Sequence, residues 1–371
     1  MRINHISVST LPVLYRYGGA IQRRIVELAN EQALQGHSVR VYSVGDRDEN
    51  RRVAGVDYHF LRCRTALPWR HFEFQGRAVR AMGRGPRADV LHFHSQPEGA
   101  VFSKCLPGKK VLSYDYFAFR GGRKTPLHHL YKRMLKCFDL LLPCSDYCLK
   151  ESRSFWQLPP ARLRVLYNGV NTQQFRPEPD LRTLERQALG IHGRVVLYVG
   201  RVCQQKGTDL LLDAFRLLNR KRTDLQLVVA GPVAQFGHGG GPGGWPDQIA
   251  EVGGLYLGAV EEERLAAIYN LADVFVMPTR ELEMFGMAAA EAQACGKPVI
   301  ASDCGGLPEV VPESCGARFP AGDAPALARQ IERVVDDPAW SAACAANAVQ
   351  NAARFRWREI AHVLDQYYQA V

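Results

Sequence analysis

The sequence predicts an α/β protein built from parallel sheets, in two domains of like architecture. Three observations carry this. Apolar runs of strand length alternate with helical periodicity along most of the 371 residues. The alternation restarts after a proline-punctuated link, Phe175-Arg-Pro-Glu-Pro179. Charge divides at the same place. Residues 1–176 hold 29 basic and 13 acidic side chains, a surplus of 16, while the remainder hold 18 and 24, a deficit of 6.

Composition narrows the class. Hydrophobic residues make up 47% of the chain, ample for two cores. No run of about 18 apolar residues occurs, so no spanning helix is expected. The first residues read as a strand, because their apolar run is too short for a signal peptide. Ten cysteines include no Cys-x-x-Cys pair, and several sit in apolar runs. That usage predicts a reducing, cytoplasmic compartment.

In the first domain, residues 3–8 form a strand and residues 12–17 a turn leading to Gly18-Gly19. Ile21, Ile25, Leu28 and Leu34 then mark a helix ending at Gly36, and residues 37–44 the next strand. Gly18 and Gly19 open that helix, so their amides could receive a phosphate or simply make a strand-to-helix turn. No G-x-G-x-x-G dinucleotide fingerprint is present. Asp46-Arg-Asp48 lies in a charged stretch, 46–52, expected to be a solvated turn. His92 and His94 share one face of a buried strand, but no third metal ligand is evident nearby in the sequence. Another strand ends at Asp115. Residues 126–137 predict an amphipathic basic helix, either docked on the sheet or lying on an anionic membrane. Nucleic acid is not an expected partner, since no recognisable module accompanies the charge. Residues 139–143 and 164–167 are the last expected strands here.

In the second domain, a strand at 195–200 leads to a loop carrying Arg201 and Lys206, then a helix at 208–218. A strand at 225–230 precedes a glycine-rich stretch, 234–246, that reads as a mobile loop. A short strand, a helix at 261–271 and a buried strand at 273–278 follow. Next come Glu283 and Glu291, eight apart, with Phe285 and Gly286 between them. A run of small residues from Met287 predicts a helix, because alanine is its best former, and Gly296 and Pro298 end it. Glu283 then sits at the helix mouth and Glu291 about two turns in, and the mouth's free amides suit an anion. The bland alternatives are Glu283 as a helix cap and Glu291 as an exposed helix residue. Helices at 325–335, 340–353 and 357–368 complete the chain, and the last has an apolar face in need of a docking partner.

The stretch 280–309, with Asn168-Gly-Val-Asn171, the Val199-Gly-Arg201 to Lys206-Gly207 loop and Gly18-Gly19, resembles the family-4 retaining glycosyltransferases of GT-B fold, over nearly the whole chain and in the family's order. The resemblance implies two Rossmann-like domains facing across a cleft, 1–176 and 177–353. The segment 354–371 would return to the first domain. The second domain would hold a nucleotide-sugar donor, UDP-linked, and the first the acceptor. Arg201 and Lys206 resemble the diphosphate clamp, so neither a metal nor a cofactor is expected. Gly18 and Gly19 would add amide donors to the diphosphate. By the same resemblance Glu291 would accept from ribose hydroxyls and Glu283 from sugar hydroxyls. The amides of Phe285, Gly286 and Met287 would face the sugar and distal phosphate. No covalent nucleophile is implied. Instead, a same-face displacement passes the acceptor's proton to the departing phosphate. Asp115 stands where relatives carry a histidine that meets the donor sugar, and is expected to orient a hydroxyl or amine. That departure leaves His94 as a further sugar or acceptor contact. The expected reaction moves a hexose or amino-sugar to a hydroxyl of a cell-surface glycan, a lipid-linked precursor or a small acceptor such as an aminocyclitol. With a membrane-borne acceptor, the basic first domain would sit peripherally on the inner membrane face. A sugar-nucleotide epimerase or phosphorylase, or a non-catalytic binding protein, remain the alternatives. Intact Glu283, Glu291, Arg201 and Lys206 speak against the last.

Overall fold

The computed structural model describes residues 1–14, 19–115, 126–234 and 244–371. Gly18 and the core of the glycine-rich stretch therefore lie outside the described residues. The chain divides into two compact units, Met1–Asn168 with Trp357–Val371, and Gly169–Arg356.

The first unit is a seven-stranded sheet. Its strands are β1 (Arg2–Ile6), β2 (Ser38–Gly45), β3 (Glu49–Val53), β4 (Val56–Arg62), β5 (Val90–His94), β6 (Lys109–Tyr114) and β7 (Leu140–Pro143), in the order β3-β4-β2-β1-β5-β6-β7. All pairings are parallel except β3 with β4. β5 and β7 are buried along their whole length, as strands covered on both faces must be. β3 replaces the turn expected at 46–52. Its side chains are nearly all exposed, and Arg47 and Arg51 both bond Glu49. Such a charged strand suits a sheet edge, where burial imposes no alternation. No regular strand forms at 164–167. Leu163 bridges Leu141, and the amides of Arg164 and Leu166 donate to the carbonyls of Leu141 and Pro143.

The C-terminal helix, Trp357–Ala370, belongs to this unit. It buries Trp357, Ile360, Ala361, Leu364 and Tyr368 and packs on the Ala20–Leu34 helix. Polar contacts fix its register: His37 bonds Asp365 at 2.6 Å, Tyr367 donates to the Val165 carbonyl, and Lys109 to that of Tyr368.

The second unit has six parallel strands, β8 (Arg194–Val199), β9 (Leu225–Ala230), β10 (Leu255–Tyr256), β11 (Val274–Met277), β12 (Val299–Ser302) and β13 (Gly316–Phe319), in the order β10-β9-β8-β11-β12-β13. Leu211, Phe215, Val229, Val276, Ile300, Leu327 and Ile331 lie at its core. The division between units falls at 168/169 and 356/357 rather than at 176/177 and 353/354. Residues 169–176 pack with the second unit. Val170 donates to the Phe355 carbonyl at 2.7 Å, Gln174 donates to that of Glu262, and Phe175 packs edge-on against Tyr269.

Both sheets reverse direction once beside their first strand. The chain adds β2 to one side of β1 and β5 to the other, and it adds β9 and β11 likewise around β8. Open α/β sheets bind ligands beyond the carboxyl ends of the strands at such a switch point. All ten cysteines are free thiols. Among the described residues, no helix is long and apolar enough to cross a membrane.

Candidate functional site

In the second unit, the expected donor residues cluster beyond β8 and β11. The loop after β8 returns into the Thr208–Leu218 helix through Gly207, at φ +76°. A Cβ at Gly207 would run into the Pro278 carbonyl just past β11, so only glycine permits this approach. The approach sets Lys206 beside Glu283, with Nζ 2.5 Å from Oε2. Both side chains are largely buried, at 22% and 15% exposure. The Glu283 backbone is itself gripped. Its carbonyl accepts from the Gly306 amide at 2.8 Å, and Gly305, at φ +59°, lies too close for a side chain.

A second tie was not evident from sequence. Arg280 forks onto Asp209, with Nε 3.0 Å from Oδ1 and Nη2 2.9 Å from Oδ2, and its amide donates to the Gln205 carbonyl. Asp209 lies in the first turn of its helix, where a carboxylate is favoured. Together these bonds hold the post-β11 segment against the post-β8 loop. Arg201 is exposed and makes no ion pair among the described residues. Its carbonyl accepts from the Tyr198 hydroxyl at 2.7 Å.

Glu283 is not the cap of the Met287–Ala294 helix. Gly286 is, at φ +96°, with no side-chain cap bond and no acidic residue in the first turn. The amides of Gly286, Met287 and Ala288 donate to no protein group among the described residues. This helix end therefore presents donors and a partial positive charge. The Phe285 side chain points inward, edge-on to Phe355 at 5.3 Å. Glu291 is not an exposed helix residue either. It is 3% exposed, and its Oε2 accepts from the Tyr269 hydroxyl at 2.7 Å. The helix is buried almost all round, which is why it is built of alanines.

In the first unit, Gly19 caps the Ala20–Leu34 helix without a side-chain bond. Asp115 follows β6 and accepts from Arg24 Nη1 at 3.0 Å and Asn168 Nδ2 at 3.3 Å. Arg24 is buried, and its Nη2 reaches Ser113 Oγ. A buried arginine needs such a partner, and the one sequence signal was a charge on the same helix face as Ile25 and Leu28.

The structure places His94 inside the unit, 1% exposed. It stacks on His92 with ring centres 4.4 Å apart, and its Nε2 is 3.0 Å from His5 Nδ1. His5 is thus the third histidine that the sequence did not reveal. It joins the pair because β1 lies beside β5, setting His5 opposite His92. These three have the spacing of a metal site. Their nitrogens are nevertheless largely committed: His5 also bonds Gln32, and His92 bonds Tyr368 and Ser113. Burial lowers the pKa of His5 to about 4 and those of His92 and His94 well below their ordinary value, and the nearby Arg24 charge adds to this. The cluster is a neutral hydrogen-bonded stack.

Comparison with known proteins identifies the family of both units. Residues 17–174 match the family described as Glycosyltransferase Family 4, and residues 182–353 match Glycosyl transferases group 1. The D-inositol 3-phosphate glycosyltransferase of Thermobispora bispora is 35% identical over 99% of this chain and 94% of its own. Sucrose-phosphate synthase from Thermosynechococcus elongatus superposes with a TM-score of 0.83 at 24% identity, covering 100% of this chain and 98% of its own. Alr3699/HepE from Anabaena, in complex with UDP-glucose, gives 0.78 at 19% identity with 100% of both chains covered. With its two parallel-sheet units of GT-B fold and matches across both, the chain belongs to glycosyltransferase family 4.

Proposed function

We propose that this glycosyltransferase moves a hexosyl group from a UDP-sugar to a hydroxyl of a small phosphorylated polyol, retaining the anomeric configuration without a metal ion. The Lys206–Glu283 pair beside the free amides of the Met287–Ala294 helix carries this reading. A diphosphate needs cationic and amide donors; a sugar needs a fixed carboxylate. Both converge beyond β8 and β11. Similarity to the D-inositol 3-phosphate glycosyltransferase of Thermobispora supports an inositol phosphate acceptor, and the basic surplus of residues 1–176 suits its charge.

The roles follow from the chemistry. The bond from the sugar's anomeric carbon to the diphosphate oxygen breaks, and charge grows on the leaving group. Lys206, Arg201 and the Gly286 and Met287 amides stabilise that charge. The acceptor oxygen bonds the anomeric carbon on the same face and passes its proton to the departing phosphate. Glu283 accepts from sugar hydroxyls, Glu291 from the ribose, and Asp115 orients the acceptor hydroxyl. Incubation with UDP-glucose and D-inositol 3-phosphate in EDTA tests this reading. It predicts a retained glycoside and one UDP per product. Inverted product, abolition by EDTA, or sugar epimerisation without UDP release would count against it.

A further inference from the structure

The first unit has its own switch point, between β1 and β5, and a polar cluster closes it. Ser9 follows β1 and Gln96 follows β5. Gln96 Nε2 donates to Ser9 Oγ at 3.1 Å. His71, near the start of the Trp69–Arg84 helix, sets Nδ1 2.5 Å from Ser9 Oγ and 2.9 Å from Gln96 Nε2. Gln75, one turn further, donates to Gln96 Oε1 at 2.5 Å, which turns the Gln96 amide nitrogen toward His71. Ser9, Gln75 and Gln96 are buried and His71 is half-buried.

With the Gln96 amide nitrogen turned this way, Nδ1 is the acceptor and a neutral His71 carries its proton on Nε2. Nε2 has no protein partner among the described residues. Gln75 Oε1 is buried with no partner among the described residues, a costly state for an acceptor. In the second unit the corresponding place holds a lysine and a carboxylate. Here it holds one hydroxyl, two amides and an imidazole. Such groups pair with neutral hydroxyls, whereas phosphate calls for Arg or Lys.

We propose that His71, held in place by Ser9 and Gln96, lines the acceptor subsite and reads a ring hydroxyl of a polyol through Nε2. This rests on the transferase reading above. The test measures KM for D-inositol 3-phosphate and the inhibition constant of myo-inositol in the full chain, with UDP-glucose as donor. His71→Phe and Gln96→Leu should each raise both acceptor constants at least tenfold and hold the UDP-glucose KM within twofold. Ser9→Ala, a smaller change, should raise both severalfold and covers a folding failure of either. Unchanged acceptor constants in the variants that fold would overturn the subsite. A loss confined to the phosphorylated ligand would overturn its assignment to hydroxyls. If UDP-glucose binds but neither polyol does, the polyol class is wrong. If UDP-glucose itself does not bind, the transferase reading fails first.

Discussion

Lys206 and Glu283 are bonded to one another at 2.5 Å across the β8/β11 switch point. On the proposed function, a diphosphate arriving there would compete with the carboxylate for the ammonium, and Glu283→Gln would free Lys206 and remove a sugar contact in one step. It should therefore tighten UDP binding severalfold while lowering kcat by about 10²-fold or more. Calorimetry and steady-state kinetics read the two signs separately. A variant that loses both, or neither, would count against competition at this pair.

The Arg280–Asp209 fork acts on position rather than chemistry. Arg280 is 32% and Asp209 25% exposed, so the pair should stabilise the fold by no more than about 1 kcal/mol in a double-mutant cycle. Its larger effect lies on the segment that carries Glu283. Arg280→Ala should raise the donor KM about tenfold and leave the melting temperature within a few degrees. A large thermal loss with an unchanged KM would assign the pair to stability alone.

Tyr269→Phe removes a hydroxyl that donates to the buried Glu291 carboxylate. A hydrogen bond to a charged group contributes about 1.5–3 kcal/mol. Urea denaturation should show a loss of that order, with UDP affinity reduced alongside it as the carboxylate shifts. A neutral substitution would mean that other donors hold Glu291.

The histidine stack makes stability depend on pH. Unfolded histidines bind protons near pH 6.5, whereas in the fold burial holds His5 near 4 and His92 and His94 well below their ordinary value. Below about pH 6.5 the unfolded state binds more protons, so stability falls as pH drops toward 4. Each such group contributes up to about 1.4 kcal/mol per pH unit in that window. Urea midpoints at pH 7.5, 6 and 5 should decline steadily, and His94→Gln should flatten the decline. A pH-independent midpoint would contradict a neutral stack.

Much of this was legible in the sequence, for reasons that also mark the limit. Strand and helix alternation, the glutamates eight apart and the Arg201–Lys206 loop are local patterns, written within one or two elements. His5 was invisible as a partner of His92 because their pairing depends on β5 lying beside β1, which no local pattern encodes. Arg24 and Asp115 stand 91 positions apart and meet only across that same sheet. β3 was read as a turn because Glu49 and Arg51 break every apolar alternation, and an edge strand can dispense with alternation. The alternative of Glu291 as an exposed helix residue stood because its helix has no amphipathic contrast. Surrounded by alanines, the helix is in fact buried on nearly all sides.

In the proposed mechanism Lys206 binds the diphosphate of a nucleotide sugar. Calorimetric titration of the full chain and of Lys206→Ala with UDP and with uridine isolates that contact. UDP affinity should fall at least tenfold in the variant while uridine affinity holds. Equal loss on both ligands, or full UDP affinity without the lysine, would contradict it.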